Sequence, residues 1–318
     1  MSATPPHSGA SGRSPPGRLA PVVDALCEAN RDLLRASGRP SGGRRPLPSR
    51  DAVGEIVSGL RAALFPWHFG PPDVSEEGLA YFVGRTLDAA LEALERQVAT
   101  GLLFACDHEG ERCATCADRA SLVTREFSER LPAVRDLLGG DARAAYEGDP
   151  AATSLDEAIF TYAGMTAVTY HRLAHALHEL GVPLIPRIIA ELAHSATGID
   201  IHPGARIGPR FFVDHGTGVV IGETCVIGEH VRLYQGVTLG ARTFPTDANG
   251  NPVKGQPRHP IIEDDVIIYA GATVLGRVTI GRGSRIAGNV WLTHGVPPGS
   301  VVSQAQAREQ SYTDGGGI

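Results

Sequence analysis

Beyond Gly198 the aliphatic residues of this chain recur every six positions. Ile201, Ile207 and Val213 set the step, and Ile221, Ile227, Leu233 and Leu239 repeat it in a register shifted by two. Ile262, Ile268, Val274, Ile280, Ile286 and Leu292 carry it on. A step of six fits neither the turn of an α-helix, about 3.6 residues, nor the alternation of a half-buried strand. Glycine follows the aliphatic at Gly208, Gly222, Gly228, Gly240 and Gly281, where the chain must turn. The pattern specifies a parallel β-helix over 199–300, each short face contributing one inward aliphatic per step. One segment breaks it. Residues 241–260 contain Asp-Ala-Asn-Gly-Asn-Pro, which is turn chemistry, and read as a loop extruded from a coil. Long loops in rigid solenoids are usually binding or covering elements.

The rest of the 318 residues is organised differently. Residues 1–50 are rich in Pro, Gly and Ser and read as a largely disordered arm with one short helix over 22–34. Residues 51–198 read as a helical domain, in which Leu79, Phe82, Val83, Leu87, Ala90 and Leu94 recur at steps of mostly three and four. The span 154–180 reads as helix, opened by a Ser154/Glu157 capping box and stopped at Gly181-Val182-Pro183. Residues 301–318 read as a flexible tail. The fold class is therefore α+β, a helical domain followed by a β-helix. The 29 basic and 35 acidic residues leave a net charge of −6, which excludes the basic footprint of non-specific nucleic-acid binding. No apolar stretch is fit to export the chain or span a membrane, and five cysteines make no disulfide scaffold, so a soluble cytoplasmic protein is expected.

Common catalytic signatures are absent: there is no Walker A, G-x-S-x-G or HExxH string. Gly216, Gly218 and Gly222 lie inside the six-residue array and read as turn glycines rather than a dinucleotide loop. His171, His175 and His178 share one helix face, a packing face in preference to a metal site. Cys106, His108, Cys113 and Cys116 include one CxxC and could hold zinc, but reduced cysteines packed in a helical domain are favoured, and no metal is predicted. The stronger constellation is in the solenoid: Asp200, Asp214, His215, Glu223, Arg258 and His259 flank the aliphatic stripe and must project into a groove or a subunit seam. A neutral imidazole can take a proton from an attacking alcohol, a carboxylate can fix its tautomer, and an arginine fork suits a carboxylate ligand.

These residues stand in strings that resemble the serine O-acetyltransferase family: D-I-H-P at 200–203, D-H-G-T-G-V-V-I-G-E-T at 214–224, Q-G-V-T-L-G at 235–240, R-H-P at 258–260 and A-G-A-x-x-L-G at 270–276. The likeness covers about 148–298 and the last residues. It implies a left-handed β-helix, acetyl-CoA as cosubstrate and L-serine as acceptor, the first step of cysteine synthesis. By the same resemblance His215 is the general base, Asp200 orients its ring, and Glu223 lines the same catalytic pocket. Asp149 and Asp214 would receive the serine ammonium, while Arg258 would hold its carboxylate with His259 beside the hydroxyl. Backbone near Gly240, Ala270, Gly271 and Gly288 would face the pantetheine arm, with Arg285 toward phosphate.

The resemblance further implies a homotrimer or a pair of trimers, L-cysteine as inhibitor, and docking into O-acetylserine sulfhydrylase through Tyr312, Asp314, Gly317 and Ile318. The chain departs from the family at Ala241 and Arg242, in the length of the loop before Arg258, and in the V-V-S-Q-A-Q-A run at 301–307. The competing readings are a hexapeptide O-acetyltransferase for a sugar and a non-catalytic scaffold subunit of a cysteine-synthesising assembly. Asp149, Asp214 and Arg258 together suit a zwitterion better than a sugar, and the Asp200/His215 pair speaks against a scaffold.

Overall fold

The structure is a computed structural model that describes residues 19–36, 46–106, 114–243 and 245–304. Most of the expected arm and most of the tail lie outside the described residues; the tail's first two residues, Val301–Val302, form a strand paired in the solenoid rather than flexible chain. The expected short helix is α1 (Ala20–Ala36), which forms part of a unit of its own. Its charged face is paired within the helix, Glu28 with Arg31 and Arg35, and Asp32 with Arg35.

The helical domain begins at α2 (Arg50–Leu64), where the Ser49 hydroxyl accepts the Ala52 N–H at 3.2 Å. It continues through α3 (Pro66–Phe69), α4 (Leu79–Ala105) and α5 (Ala114–Gly148). The remaining helices are α6 (Leu155–Thr161), α7 (Ala163–Glu179) and α8 (Ile185–Thr197). Leu60, Leu94, Phe127, Leu138, Leu173 and Ile185 are fully buried between them. Ser154 caps α6 as expected, accepting the Glu157 N–H, but the Glu157 carboxylate reaches back to Thr153 rather than to the cap residue itself. The expected helix over 154–180 is broken at Tyr162, whose backbone is extended between α6 and α7. Packing gives the reason. Gly164 lies so close to the Phe212–Val213 strand that a Cβ there would come within 2.1 Å of the Val213 carbonyl oxygen, so α7 starts on its own path against the solenoid.

Among the described residues after Gly198, fourteen short strands form three parallel sheets. The first sheet stacks β1 (Asp200–Ile201), β4 (Val220–Ile221), β7 (Thr238–Gly240), β10 (Thr273–Leu275) and β13 (Trp291–Leu292). The second stacks β2 (Arg206–Ile207), β5 (Val226–Ile227), β8 (Ile261–Ile262) and β11 (Thr279–Ile280). The third stacks β3 (Phe212–Val213), β6 (Arg232–Leu233), β9 (Ile267–Ile268), β12 (Arg285–Ile286) and β14 (Val301–Val302). The aliphatics of the six-residue step are buried and stack in register: Ile201 on Ile221, Leu239, Val274 and Leu292. The shift by two between Val213 and Ile221 also has a structural counterpart. The first turn from the third sheet to the first spends residues 214–219, whereas the later coils use 234–237, 269–272 and 287–290.

One buried pair docks the helices on this solenoid. Arg172 of α7 donates from Nε and Nη2 to the two oxygens of Asp141 on α5, both at 3.0 Å. Its remaining donors reach the Ile207 and Gly208 carbonyls, and Asp141 also accepts the Phe211 N–H. Replacing Asp141 by alanine strands a buried guanidinium, at a cost of about 3–5 kcal/mol. Urea unfolding should show that loss, with a smaller one when Arg172→Met is added; a single-variant loss under about 1 kcal/mol would deny the pair this role.

Candidate active site

The first group of candidate residues gathers where the third sheet turns into the first. Asp149 follows α5 directly, and both of its oxygens are held. Oδ1 accepts the Ala151 N–H at 2.8 Å and Oδ2 accepts the Tyr162 hydroxyl at 2.6 Å. The Tyr162 bond, and then the Ala151 N–H, keep the Asp149 carboxyl below the usual carboxylate range. Arg232 of β6 fixes the preceding backbone, donating to the Gly148 carbonyl at 2.9 Å. Asp214 and His215 follow β3 on the lengthened turn. His215 has φ 56°, a left-handed conformation uncommon for a residue with a side chain, and its side chain is 70% exposed. Its Nε2 lies 3.8 Å from Asp214 Oδ1. Asp200, the acid expected to orient the ring across neighbouring coils or a subunit seam, stands on β1, and within the chain no hydrogen bond joins it to His215.

The second group lies at the other end of β4, where the first sheet turns into the second. Glu223 accepts from Arg258 Nη2 at 2.7 Å. Burial works to raise the Glu223 carboxyl, and the Arg258 guanidinium overcomes it, so the net shift is downward. Thr224 organises the exit of the extruded loop. Its hydroxyl accepts the N–H groups of Arg258 and His259, at 2.9 and 3.1 Å. Its own N–H donates to His259 Nδ1 at 3.0 Å, which leaves the neutral ring with its proton on Nε2. Burial, and then the charge of Arg258, push His259 down to about 4, so it is neutral near pH 7. The ring lies over Gly222, where any Cβ would meet its Cδ2 at 2.0 Å. Arg277 completes the latch by donating to the carbonyls of Thr224 and His259. A cavity of about 270 Å³ opens beside this group, lined in part by His178, Arg206, Glu223 and Arg277.

Among the described residues no hydrogen bond or ion pair joins the first group to the second; one whole sheet face separates them. The residues expected to face a pantetheine arm divide in the same way. Ala270, Gly271 and Gly288 lie on the turns that continue the His215 corner in later coils, Gly240 ends β7 toward the Glu223 corner, and Arg285 is exposed on β12. Tyr162, Thr224, Arg232 and Arg277 escaped sequence reading. Tyr162 carries no signal either, since the helical pattern runs on both sides of it and the break appears only in the structure.

His171, His175 and His178 pack against the first coil. His171 is buried and stacked on His175, His175 Nδ1 meets the Pro203 carbonyl at 2.7 Å, and His178 sits edge-on to His202. His202 accepts the Gly204 N–H on Nδ1, and burial, then Arg187, push it down to about 4. Of the cysteine cluster, Cys116 is buried and Cys106 half-buried, whereas His108 and Cys113 lie outside the described residues. No group of three metal-binding side chains occurs among the described residues. Nor is any described helix long and apolar enough to cross a membrane.

The sequence model of the bacterial transferase hexapeptide (six repeats) matches residues 259–294. The plasmid serine acetyltransferase of Synechococcus elongatus is 56% identical over 300 residues, 93% of this chain and 94% of that protein. The likeness therefore runs well beyond 148–298 and takes in the helical domain. Among solved structures, serine acetyltransferase isoform 3 of Entamoeba histolytica in complex with cysteine superposes with a TM-score of 0.69 at 31% identity, covering 92% of this chain and 96% of that one. Serine acetyltransferase of Brucella abortus in complex with coenzyme A gives 0.52 at 29% identity, covering 80% and 94%. With helices leading into a left-handed β-helix of hexapeptide turns, this chain belongs to the serine acetyltransferase family.

Proposed function

We propose that this chain transfers acetyl from acetyl-CoA to the hydroxyl of L-serine, giving O-acetyl-L-serine and CoA, with His215 as general base. The observation that carries the reading is the lengthened turn, which presents an exposed imidazole beside two carboxylates, Asp149 and Asp214. A serine hydroxyl is too weak an acid to ionise unaided near pH 7. His215 removes its proton as the oxygen attacks the thioester carbonyl; the carbon–sulfur bond then breaks and CoA leaves as a thiolate that regains a proton. Asp214 and Asp200 are the acids proposed to orient the ring. Asp149 and Asp214 receive the serine ammonium, and Arg258, steadied by Glu223, receives its carboxylate. Neutral His259 offers a donor beside the reacting hydroxyl without adding charge. Ala270, Gly271, Gly288, Gly240 and Arg285 are the proposed CoA contacts. L-cysteine differs from serine only at the side-chain heteroatom, so the same charges would hold it as a competing inhibitor.

The two groups occupy different corners of one solenoid, so a single chain cannot close both around one amino acid. A homotrimer resolves this, with the His215 corner of one copy facing the Arg258 corner of the next and each of the three seams holding a site. Gln310–Ile318 lies outside the described residues; its docking into O-acetylserine sulfhydrylase is proposed from the resemblance alone.

His215→Ala should lower turnover by ~10²–10⁴-fold with the fold intact, and a loss of about threefold or less would refute the assignment. His215→Ala and Arg258→Ala chains, unfolded and refolded together, should regain about a quarter of the wild-type sites, since a seam then can combine two intact corners. No recovery would place the whole site within one chain.

The depressed histidines set the pH dependence of stability. His202 and His259 titrate at about 4 when folded but near 6.5 when unfolded, so the unfolded chain binds more protons in between. Stability should be full above about pH 6.5 and fall as pH drops toward 4, with a shallower slope for His259→Gln by calorimetry. Deleting Ile318 should abolish binding to the sulfhydrylase by calorimetry while serine acetylation stays unchanged.

A further inference from the structure

We propose that Tyr162 is a positioning residue for serine recognition: its hydroxyl fixes the Asp149 carboxylate in one orientation for the substrate ammonium. This rests on the reading that Asp149 receives that ammonium. The Tyr162 hydroxyl donates to Asp149 Oδ2 at 2.6 Å while the Ala151 N–H donates to Oδ1 at 2.8 Å. Each oxygen is thus tied once, which fixes the rotation of the carboxylate and leaves acceptor capacity on both atoms.

The chemistry of the partner matters as much as its distance. An arginine or lysine at this position would neutralise Asp149 and spoil it as a receptor for a cation. A phenol holds the carboxylate by a charge-assisted hydrogen bond yet adds no charge of its own, so the full negative charge remains for the ligand. Burial, and then the hydrogen bond to Asp149 and that carboxylate's charge, push the Tyr162 phenol up, with Glu157 and Asp214 adding to it, so it stays a donor throughout the working range.

The fold gives the hydroxyl little freedom. Tyr162 is the extended residue between α6 and α7, and its ring packs on a small apolar cluster of Ala144, Ala145, Ala158 and Phe212. Ala144 and Ala145 belong to the last turns of α5, directly before Asp149, and Phe212 to β3, directly before Asp214. The ring therefore touches the elements that deliver both acids. Close packing of Gly164 on the Val213 carbonyl fixes the start of α7 two residues later. The break in the helix, unexplained by the sequence pattern, places the hydroxyl on Asp149.

The test is Tyr162→Phe in the full-length assembled enzyme, which keeps the packed ring and removes only the hydroxyl. The KM for serine should rise about 10- to 100-fold, as loss of one hydrogen bond to a charged group implies. Turnover at saturating serine and the KM for acetyl-CoA should change by less than about threefold. Inhibition by 3-hydroxypropanoate, which is serine without its ammonium, should be unchanged, a result that a merely structural role would not give. Asp149→Asn should raise the serine KM at least as far, and Tyr162→Phe should add little in that background. If Asp149→Asn raises the serine KM but Tyr162→Phe leaves it within about twofold, the inference fails and the reading of Asp149 stands. If Asp149→Asn is itself harmless, the reading of Asp149 falls and takes this inference with it. Equal loss of serine and 3-hydroxypropanoate affinity, or a misfolded variant by thermal melting, would make Tyr162 a packing residue and overturn the proposal.

Discussion

The buried pair of Asp141 and Arg172 governs how the helices α5 and α7 meet the solenoid. A guanidinium taken out of water is tolerable only when its donors are engaged, and here they reach a carboxylate and two carbonyls of the first coil. That requirement fixes α5 and α7 against one corner of the solenoid. Asp141 lies eight residues before Asp149 on α5, about 12 Å of helix, so the docking determines where Asp149 emerges. Arg172 likewise fixes α7, which begins directly after Tyr162. The corner that holds Asp149 and Tyr162 is thus assembled by an interaction outside the proposed chemistry.

Much of this was legible because a six-residue period is so restrictive. Once each sixth residue must be an inward aliphatic, an uninterrupted run specifies packing and little else. Departures are then informative. The slip by two after Val213 is the lengthened turn that turns His215 outward, and the long gap after Leu239 ends at Arg258 and His259. The two breaks in the period carry the two groups of the site. What stayed hidden depends on contacts between distant segments. Tyr162 falls inside a span that keeps a helical pattern on both sides, and only the close approach of Gly164 to β3 forces the break. Thr224 and Arg277 act through backbone groups, for which no residue pattern gives a signal. Within one chain Asp200 and His215 share no hydrogen bond, since spacing along a coil does not fix which way a turn throws its side chains, and the subunit seam is the other place where the two could meet.

The two groups differ in their electrostatics, and the difference suits a zwitterion. One is acidic, with Asp149 and Asp214 flanking His215. The other offers a cation, but Arg258 is already paired with Glu223 at 2.7 Å. That pairing limits what a ligand can take. Arg258 Nη1 makes only a 3.3 Å contact to the Gln256 carbonyl, so a substrate carboxylate can displace a weak bond and leave the Glu223 bond in place. In the proposed site Glu223 would then keep the fork aimed at the substrate carboxylate.

Selectivity follows from what the wrong ligand leaves behind. A sugar hydroxyl could reach His215 as readily as a serine hydroxyl, and proton transfer alone would not tell them apart. In the proposed site it would, however, close the seam over Asp149 and Asp214 with no ligand cation to balance them and leave Arg258 with Glu223 alone, and unbalanced charge shielded from water is expensive. Discrimination against ligands lacking charged groups therefore rests on those penalties more than on shape, as in sites that reject an analogue missing one hydrogen-bonding group. L-cysteine would escape this filter, because it carries the same charges as serine and differs only at the atom the proposed base meets. A site selecting by charge in the proposed way would exclude sugars and simple alcohols while admitting the sulfur analogue of serine.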